Sequence, residues 1–241
     1  MSKNILVTGV SRGLGLEIAK VLLARKWTVY GVSRTQSAEI KALSTAHPGR
    51  LHFLSFDLAG ADEAKAQIFD AFVGKVPLHG FVNNAATAYD EIISNLQLSP
   101  LRQMFEVNVF TPMVVTKYAI RNMLLHGSGG SIVHVSSISV HTGYKGLAMY
   151  ASTKGALEAF SKNTAREWGE RGIRSNALVA GFMETAMSDS LDMATKSRIY
   201  ARTALKRPTT LASVAETIAF LLSDEAGSIT GQSMHVDSGT I

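Results

Sequence analysis

The residues best suited to chemistry lie in Tyr150-Ala151-Ser152-Thr153-Lys154. In a helix the i, i+4 spacing puts the Tyr150 phenol and the Lys154 ammonium on one face. A free tyrosine ionises near pH ~10. A neighbouring positive charge favours the phenolate and lowers that value. Such a phenol can give a proton to a developing alkoxide, or take one back in the reverse direction. Taken alone, the pair is more often a plain surface arrangement on a helix. A second polar group stands in His134-Val135-Ser136-Ser137, the end of a β-type run. There the Ser137 hydroxyl can hydrogen-bond a carbonyl, and alternation along an extended chain turns Ser136 the other way. Asn108, among Phe105, Val107, Val109 and Phe110, is expected to cap, to bond backbone or to hold water.

A separate constellation is Thr8-Gly9-Val10-Ser11-Arg12-Gly13-Leu14-Gly15, which follows an apolar β-type run and opens a helical one. Gly9 can turn the chain, Gly13 lets backbone approach a phosphate, and Gly15 lets the helix close on the sheet. The helix N-terminus then offers free N–H groups and a positive dipole end to a pyrophosphate. A glycine trio also fits a purely structural turn, but here the preceding strand and following helix supply the context for a dinucleotide. About 20 residues on, a carboxylate would hold a ribose diol. The sequence instead reads Val32-Ser33-Arg34, with no Asp or Glu between Glu17 and Glu39. Guanidiniums at Arg12 and Arg34 suit a ribose 2′-phosphate. The expected cofactor is NADP(H) rather than NAD(H), with a solvated loop residue as the alternative role for Arg34.

These residues are spaced by short apolar β-rich runs alternating with amphipathic helical stretches. Strands are expected at Asn4–Thr8, Thr28–Ser33, Leu51–Phe56, Gly80–Asn83, Ser131–Ser136, Ile173–Val179 and Ser233–Val236. Helices are expected at Leu14–Arg25, Ala64–Phe72, Ser99–Leu125, Tyr150–Trp168 and Leu211–Leu222. Ser99 is the expected cap of its helix, with Pro100 at the first helical position. Continuously apolar strands suit a parallel sheet covered on both faces, and the alternation suits βαβ units. The pattern never resets, so residues 1–241 are expected to form one domain. In such sheets ligands sit at the carboxyl ends of the strands, near the switch in strand order.

Composition narrows the chemistry. The 241 residues include no Cys, which excludes disulfides, thiolate nucleophiles and Cys-ligated metals. The 7 His include no i, i+4 pair, so no metal centre is expected. With 24 Lys+Arg against 19 Asp+Glu the net charge is +5, but the positive residues are scattered, and no nucleic-acid partner is expected. No apolar run nears the ~20 residues of a membrane span. Met1-Ser2-Lys3-Asn4 runs straight into Ile5-Leu6-Val7 without a secretory pattern, so a cytoplasmic location is expected.

Thr8-Gly9-x3-Gly13-x-Gly15, Asp57-Leu58, Asn83-Asn84-Ala85-Ala86, Asn108, Ser137 and Tyr150-x3-Lys154 together resemble the short-chain dehydrogenase/reductase family, in its order and spacing. The resemblance runs from residue 4 to the last strand. It implies an α/β, single-domain, Rossmann-like doubly wound parallel sheet, seven strands in order 3-2-1-4-5-6-7, with helices on both faces. It implies a catalytic tetrad of Asn108, Ser137, Tyr150 and Lys154, and B-face hydride transfer from nicotinamide. The implied cofactor-binding set is Gly9, Ser11, Arg12, Gly13, Leu14, Gly15, Ser33, Arg34, Asp57, Leu58, Asn84, Ala85, Ala86, Tyr150, Lys154, Gly181, Met183 and Thr185. Asp57 would contact adenine, and Asn108 would hold a water joining Lys154 to a proton relay. The family is commonly tetrameric, which implies a homotetramer or homodimer.

Two departures stand out. Ala180 replaces the family's usual Pro before Gly181, so the loop loses a fixed φ. Asp237-Ser238-Gly239 stands where Asp-Gly-Gly is usual. The segment 182–204 is the expected substrate lid, with Met187 among its adaptable apolar side chains. Plain core packing is the alternative for these methionines. Ser139, His141 and Tyr144 are further pocket candidates. Glu170–Asn176 and Gly181–Thr185 resemble bacterial 3-oxoacyl-[acyl-carrier-protein] reductases, in which Arg at the position of Arg171 helps hold the acyl carrier protein. The second basic docking residue of that subgroup is missing from 126–131, which shifts docking to Arg121, Lys145 or Arg174. The implied activity is NADPH-dependent reduction of a ketone, foremost a 3-oxoacyl thioester. Other expectations are a sugar, quinone, steroid-like or terpenoid substrate, or a catalytically silent NADP sensor or scaffold.

Overall fold

Seven short apolar runs pair as parallel neighbours into one sheet. They are β1 (Asn4–Thr8), β2 (Thr28–Ser33), β3 (Leu51–Ser55), β4 (Gly80–Asn83), β5 (Gly130–Ser137), β6 (Ile173–Ala180) and β7 (Ser233–Val236). This computed structural model describes residues 2–185 and 191–241. The strand order is β3-β2-β1-β4-β5-β6-β7. The order reverses between β1 and β4, where ligand crevices form in open parallel sheets. Register aligns the strand ends there: Thr8 lies opposite Val32, Asn83 opposite His134, and Ser137 opposite Ala180.

Both faces of the sheet are covered. Val7, Val133 and Val135 pack toward α1 (Gly13–Ala24) and α8 (Leu211–Leu222) through Ile18, Leu22, Ile218 and Leu222. Leu6, Phe81 and Ile132 pack on the other side against Ile68, Phe69, Ala119 and Met123. Each fully buried aliphatic side chain contributes on the order of 1.5–3 kcal/mol. The two-sided burial explains why the strands read as continuous apolar runs.

The helical layer differs from the sequence expectations in detail. The helix expected at Ala64–Phe72 spans Lys65–Val73 and is wound as a wide i to i+5 helix. The long segment after β4 is α3 (Leu98–Phe105), a wide turn at Glu106–Phe110, then α4 (Thr111–His126). Ser99 is not its cap. The helix starts one residue earlier, after Gln97, without a side-chain capping bond. Three helices go unannounced by hydrophobic period: α2 (Ala38–Ala46), the single turn α5 (Ser139–Thr142) and α7 (Met193–Arg202). α2 carries its own signal, since the Ser37 hydroxyl accepts from Ile40 N at 3.2 Å. The helix expected from Tyr150 begins earlier, as α6 (Ala148–Trp168), which places Tyr150 in its first turn.

Candidate active site

The site grows from the carboxyl end of β1. Gly9 turns the chain with φ +76°, a conformation open to glycine, and its N–H donates to Val32 O at 2.8 Å. A Cβ on Gly15 would overlap Gly9 O, so only glycine lets α1 start this close to β1. Thr8 Oγ1 accepts from Asn84 N (3.1 Å) and Ala85 N (3.2 Å), while Asn84 Nδ2 donates to Thr8 O (3.0 Å) and Gly9 O (3.3 Å). These bonds lace the end of β4 to the glycine loop. Ser33 Oγ accepts from Ser11 N at 3.2 Å, which ties the same loop to β2. Asp57 Oδ1 turns onto Ala59 N at 3.0 Å, and Leu58 O accepts from Thr111 Oγ1 at 2.6 Å. Ala86 follows, half-buried.

The N-terminus of α1 has no side-chain cap and no acidic residue in its first turn. Ser37, Asp192 and Thr210 cap α2, α7 and α8, but α3 to α6 also start without a side-chain cap, so it is the glycine loop running into α1 that sets its N-terminus apart. Uncapped N–H donors at a positive dipole end form an anion site. Leu14 is buried under this turn. Arg12 and Arg34 are exposed at its rim and have no ion-pair partner among the described residues. The cradle therefore fits a pyrophosphate, and its rim fits a further phosphate.

α6 presents Tyr150 and, one turn on, Lys154. Lys154 is 2% exposed, and its Nζ donates to Val135 O at 2.8 Å. Nζ stands 5.7 Å from the Tyr150 ring centroid. Burial pulls the Lys154 ammonium down to about 8, so it remains mostly charged at pH 7. The lowered Tyr150 value expected from the i, i+4 spacing is not what the structure shows. Burial first, and the Asp90 carboxylate second, push the phenol upward. Desolvation of the phenolate outweighs the neighbouring lysine.

Ser137 Oγ accepts from Ser139 N at 3.2 Å, which leaves its proton to donate. Ser136 points away, into the protein, and donates to Glu158 Oε1 at 2.5 Å. Asn108 is 1% exposed in the wide turn between α3 and α4. Single wide turns of this kind are frequent at functional sites. Its Oδ1 accepts from Thr87 N (2.9 Å), and its Nδ2 donates to Thr87 O (2.8 Å) and Thr153 Oγ1 (3.1 Å). The side chain thus joins the β4 loop to the helix of Tyr150.

After β6, Gly181 N donates to Val236 O at 2.9 Å, and a Cβ on Gly181 would stand 2.5 Å from Asp237 Cα. Ala180 O accepts from Ile138 N at 3.0 Å. Strand pairing on both sides therefore fixes the loop entry without the proline ring. The Asp237 carboxylate accepts from Gly239 N and Ile241 N, which holds the last turn. Met183 packs against the core, and Thr185 stands 3.7 Å from where a Gly13 side chain would begin. The structure thus brings Thr185 across to the glycine loop. Met187 lies outside the described residues. In the rest of the expected lid, Tyr200 Oη donates to Glu184 Oε1 at 2.5 Å and its ring packs on Phe182.

A cavity of about 350 Å³ opens beside this site, with Ser139, Tyr144, Lys145, Leu147, Glu91 and Ile92 in its walls. Ser139 Oγ is buried there with no hydrogen-bond partner. His141 instead turns Nε2 toward Glu158 Oε1, 3.2 Å away, and packs its ring on His235. A cavity of about 460 Å³ lies between Ala204–Ser213 and His235–Gly239, and neither cavity is lined by a tetrad or glycine-loop residue; the smaller one is the nearer in the chain, through Ser139 and Ala151. Sequence reasoning misses Asp90, an acid whose carboxylate bears electrostatically on Tyr150 and has no hydrogen-bond or ion-pair partner among the described residues. Its one sequence signal is its place in the loop that follows β4.

The expected docking cations are not gathered at the site. Arg171 ends the short turn beyond α6, about 30 Å from Tyr150 along a 21-residue helix. Arg174 is consumed by structure, since its guanidinium donates to Ile229 O (3.2 Å) and Ser223 O (2.9 Å). Arg121 lies over the Tyr118 ring. Lys145 alone of these lines the 350 Å³ cavity. Among the described residues no group of three His, Asp or Glu is placed to hold a metal, and no helix is long and apolar enough to cross a membrane.

A doubly wound sheet with this glycine cradle and this Tyr–Lys–Ser–Asn cluster defines a class, the dinucleotide-dependent oxidoreductases. A family model described as Enoyl-(Acyl carrier protein) reductase matches residues 9–240, and the chain belongs to the short-chain dehydrogenase/reductase family. It is 32% identical over 242 residues to the 3-oxoacyl-[acyl-carrier-protein] reductase FabG of Staphylococcus aureus (strain N315), covering 99% of this chain and 98% of the relative. It is 34% identical over 236 residues to carbonyl reductase [NADPH] 2 of Sus scrofa, covering 97% and 94%. Among solved structures, a gluconate 5-dehydrogenase from Burkholderia cenocepacia J2315 in complex with NADP and tartrate superposes with a TM-score of 0.93 at 25% identity, covering 100% of this chain and 96% of that one.

Proposed function

We propose that the protein is an NADPH-dependent reductase that converts a ketone to a secondary alcohol, with a 3-oxoacyl thioester on an acyl carrier protein as its substrate. The observation that supports the oxidoreductase reading is Lys154, buried one turn beyond Tyr150 and bonded to Val135 O two residues before Ser137, in a sheet whose first strand runs into the glycine loop of α1. The acyl reading rests on likeness to the 3-oxoacyl reductases, and on a cavity with Leu147, Ile92 and Tyr144 in its walls.

When bound, NADPH supplies the hydride. The N–H groups at the start of α1 would hold its pyrophosphate, Arg12 and Arg34 its 2′-phosphate, Lys154 its nicotinamide ribose, and Gly181, Met183 and Thr185 its nicotinamide end. Ser137 keeps its proton and donates a hydrogen bond to the substrate carbonyl oxygen, which sets its direction. Tyr150 gives its proton to the same oxygen as the alcohol forms. Lys154, held on Val135 O, keeps a positive charge near the Tyr150 ring. Asn108 keeps the β4 loop and the Tyr150 helix in register. Lys145 is the cation at the cavity for an acidic carrier. The proposed partners are an acyl carrier protein, docked at Arg171 or Lys145, and further copies of the chain in a homotetramer or homodimer. The proposed location is cytoplasmic.

Replacing Arg34 by Ala is expected to weaken NADPH about tenfold and leave NADH unchanged, because one charge-assisted pair to a phosphate at an exposed site is lost. Fluorescence titration of both cofactors reads this, and an equal loss for NADH rejects the assignment. A hydroxyl-rich carbonyl is the second reading. It is favoured by Asp90, whose unpaired carboxylate can accept from substrate hydroxyls beside Tyr150. One NADPH-oxidation screen separates the readings. Acetoacetyl thioesters are expected to turn over fastest, whereas sugars or simple ketones turning over alone would displace the acyl reading. NADPH binding without turnover of any carbonyl would leave only a sensor.

A further inference from the structure

The geometry points to Glu158 as a positioning residue for Ser137, a role that rests on the carbonyl-orienting part proposed for that serine. Glu158 lies on α6, one turn beyond Lys154 and two turns beyond Tyr150, and is 7% exposed. A carboxylate that buried is retained only with its oxygens bonded. Its oxygens reach three other elements. Oε1 accepts from Ser136 Oγ at 2.5 Å and lies 3.2 Å from His141 Nε2, while Oε2 accepts from Ser233 Oγ at 3.1 Å.

Ser136 immediately precedes Ser137 at the end of β5. His141 belongs to α5, the turn whose first N–H, that of Ser139, donates to Ser137 Oγ. One carboxylate oxygen therefore grips the chain on both sides of the catalytic hydroxyl. The second oxygen anchors the grip to β7, and His235, also on β7, packs its ring against His141 at 5.0 Å between centroids. Because the carboxylate rides on the helix that carries Tyr150, it refers the hydroxyl and the phenol to one rigid element. Bonds to an ionised acceptor are shorter and stronger than neutral ones, which suits a hub that must hold direction. A displacement near 1 Å at such a group costs about 10²-fold in rate.

The test is a double-mutant cycle on the full chain with NADPH and a turned-over ketone. E158Q is expected to lower kcat about 10–100-fold, with the NADPH dissociation constant within about twofold of wild type. In the Ser137→Ala background the same change is expected to cost under about twofold, since a residue acting through Ser137 has nothing left to position. Losses that multiply independently, or an E158Q variant within about twofold of wild type, would overturn the role. Should E158Q fold poorly, Ser136→Ala removes one arm and is expected to show a smaller loss with the same non-additivity. Amide exchange gives a reading independent of turnover. Residues 136–142 are expected to exchange faster in E158Q while residues 9–15 do not. Faster exchange in a protein that reduces no ketone would sink the catalytic reading and leave the clamp. Unchanged exchange with normal turnover would sink the clamp alone.

Discussion

Tyr150→Phe is expected to lower NADPH-dependent ketone reduction by 10²–10⁴-fold, the usual contribution of one positioned acid. That range corresponds to about 2.7–5.4 kcal/mol of barrier. The ring stays, so packing in the first turn of α6 should be kept, and the glycine cradle, Arg12 and Arg34 are untouched. NADPH binding by fluorescence titration should therefore match wild type. The upward push on the Tyr150 phenol means that it carries its proton throughout the neutral range. It stands ready as a donor in the reductive direction. A variant retaining more than about a tenth of wild-type turnover would remove Tyr150 from the proton-donor role.

Gly15→Ala is expected to be comparably severe for a different reason. The new methyl would overlap Gly9 O and stand 2.7 Å from both Gly9 C and Asn84 Nδ2. Two of these are backbone atoms, which cannot swing aside as a long side chain can. Either α1 moves off the sheet or the glycine loop deforms, and each disturbs the N–H donors meant for the pyrophosphate. Overpacking of this kind typically costs about 1–3 kcal/mol of stability. The expected result is a lower melting temperature and a loss of NADPH affinity of about 100-fold, because the donors must converge on one group. Paired melting and titration read both effects. An affinity within about threefold of wild type would mean that the cradle tolerates a shift and that glycine is not required there.

The sheet could be read from the chain almost residue by residue, since two-sided burial writes continuous apolar runs that the helical crossovers between them interrupt. The cluster at the strand ends could be read too. Ser137, Tyr150 and Lys154 fall where strand ends and a helix start must meet. Features that depend on geometry rather than period were hidden. α5 is a single turn and α7 has no buried residue, so neither has a core-facing stripe. The wide turn at Asn108 is a matter of backbone winding that no spacing announces. The direction of the Tyr150 shift was misread because adjacency of a lysine can be counted along the chain, whereas desolvation cannot. His141 and Glu158 are 17 positions apart, and their meeting comes from α5 folding back on α6.

The Asn108 amide pairs with both main-chain groups of Thr87 and with none of that residue's side chain. A bond of this kind is indifferent to which amino acid occupies the position. The loop running on from Thr87 to the cavity can therefore accumulate substitutions over evolutionary time without losing its anchorage. Substrate preference can drift on one side of that amide, while the proton-transfer apparatus on the other side stays under separate selection.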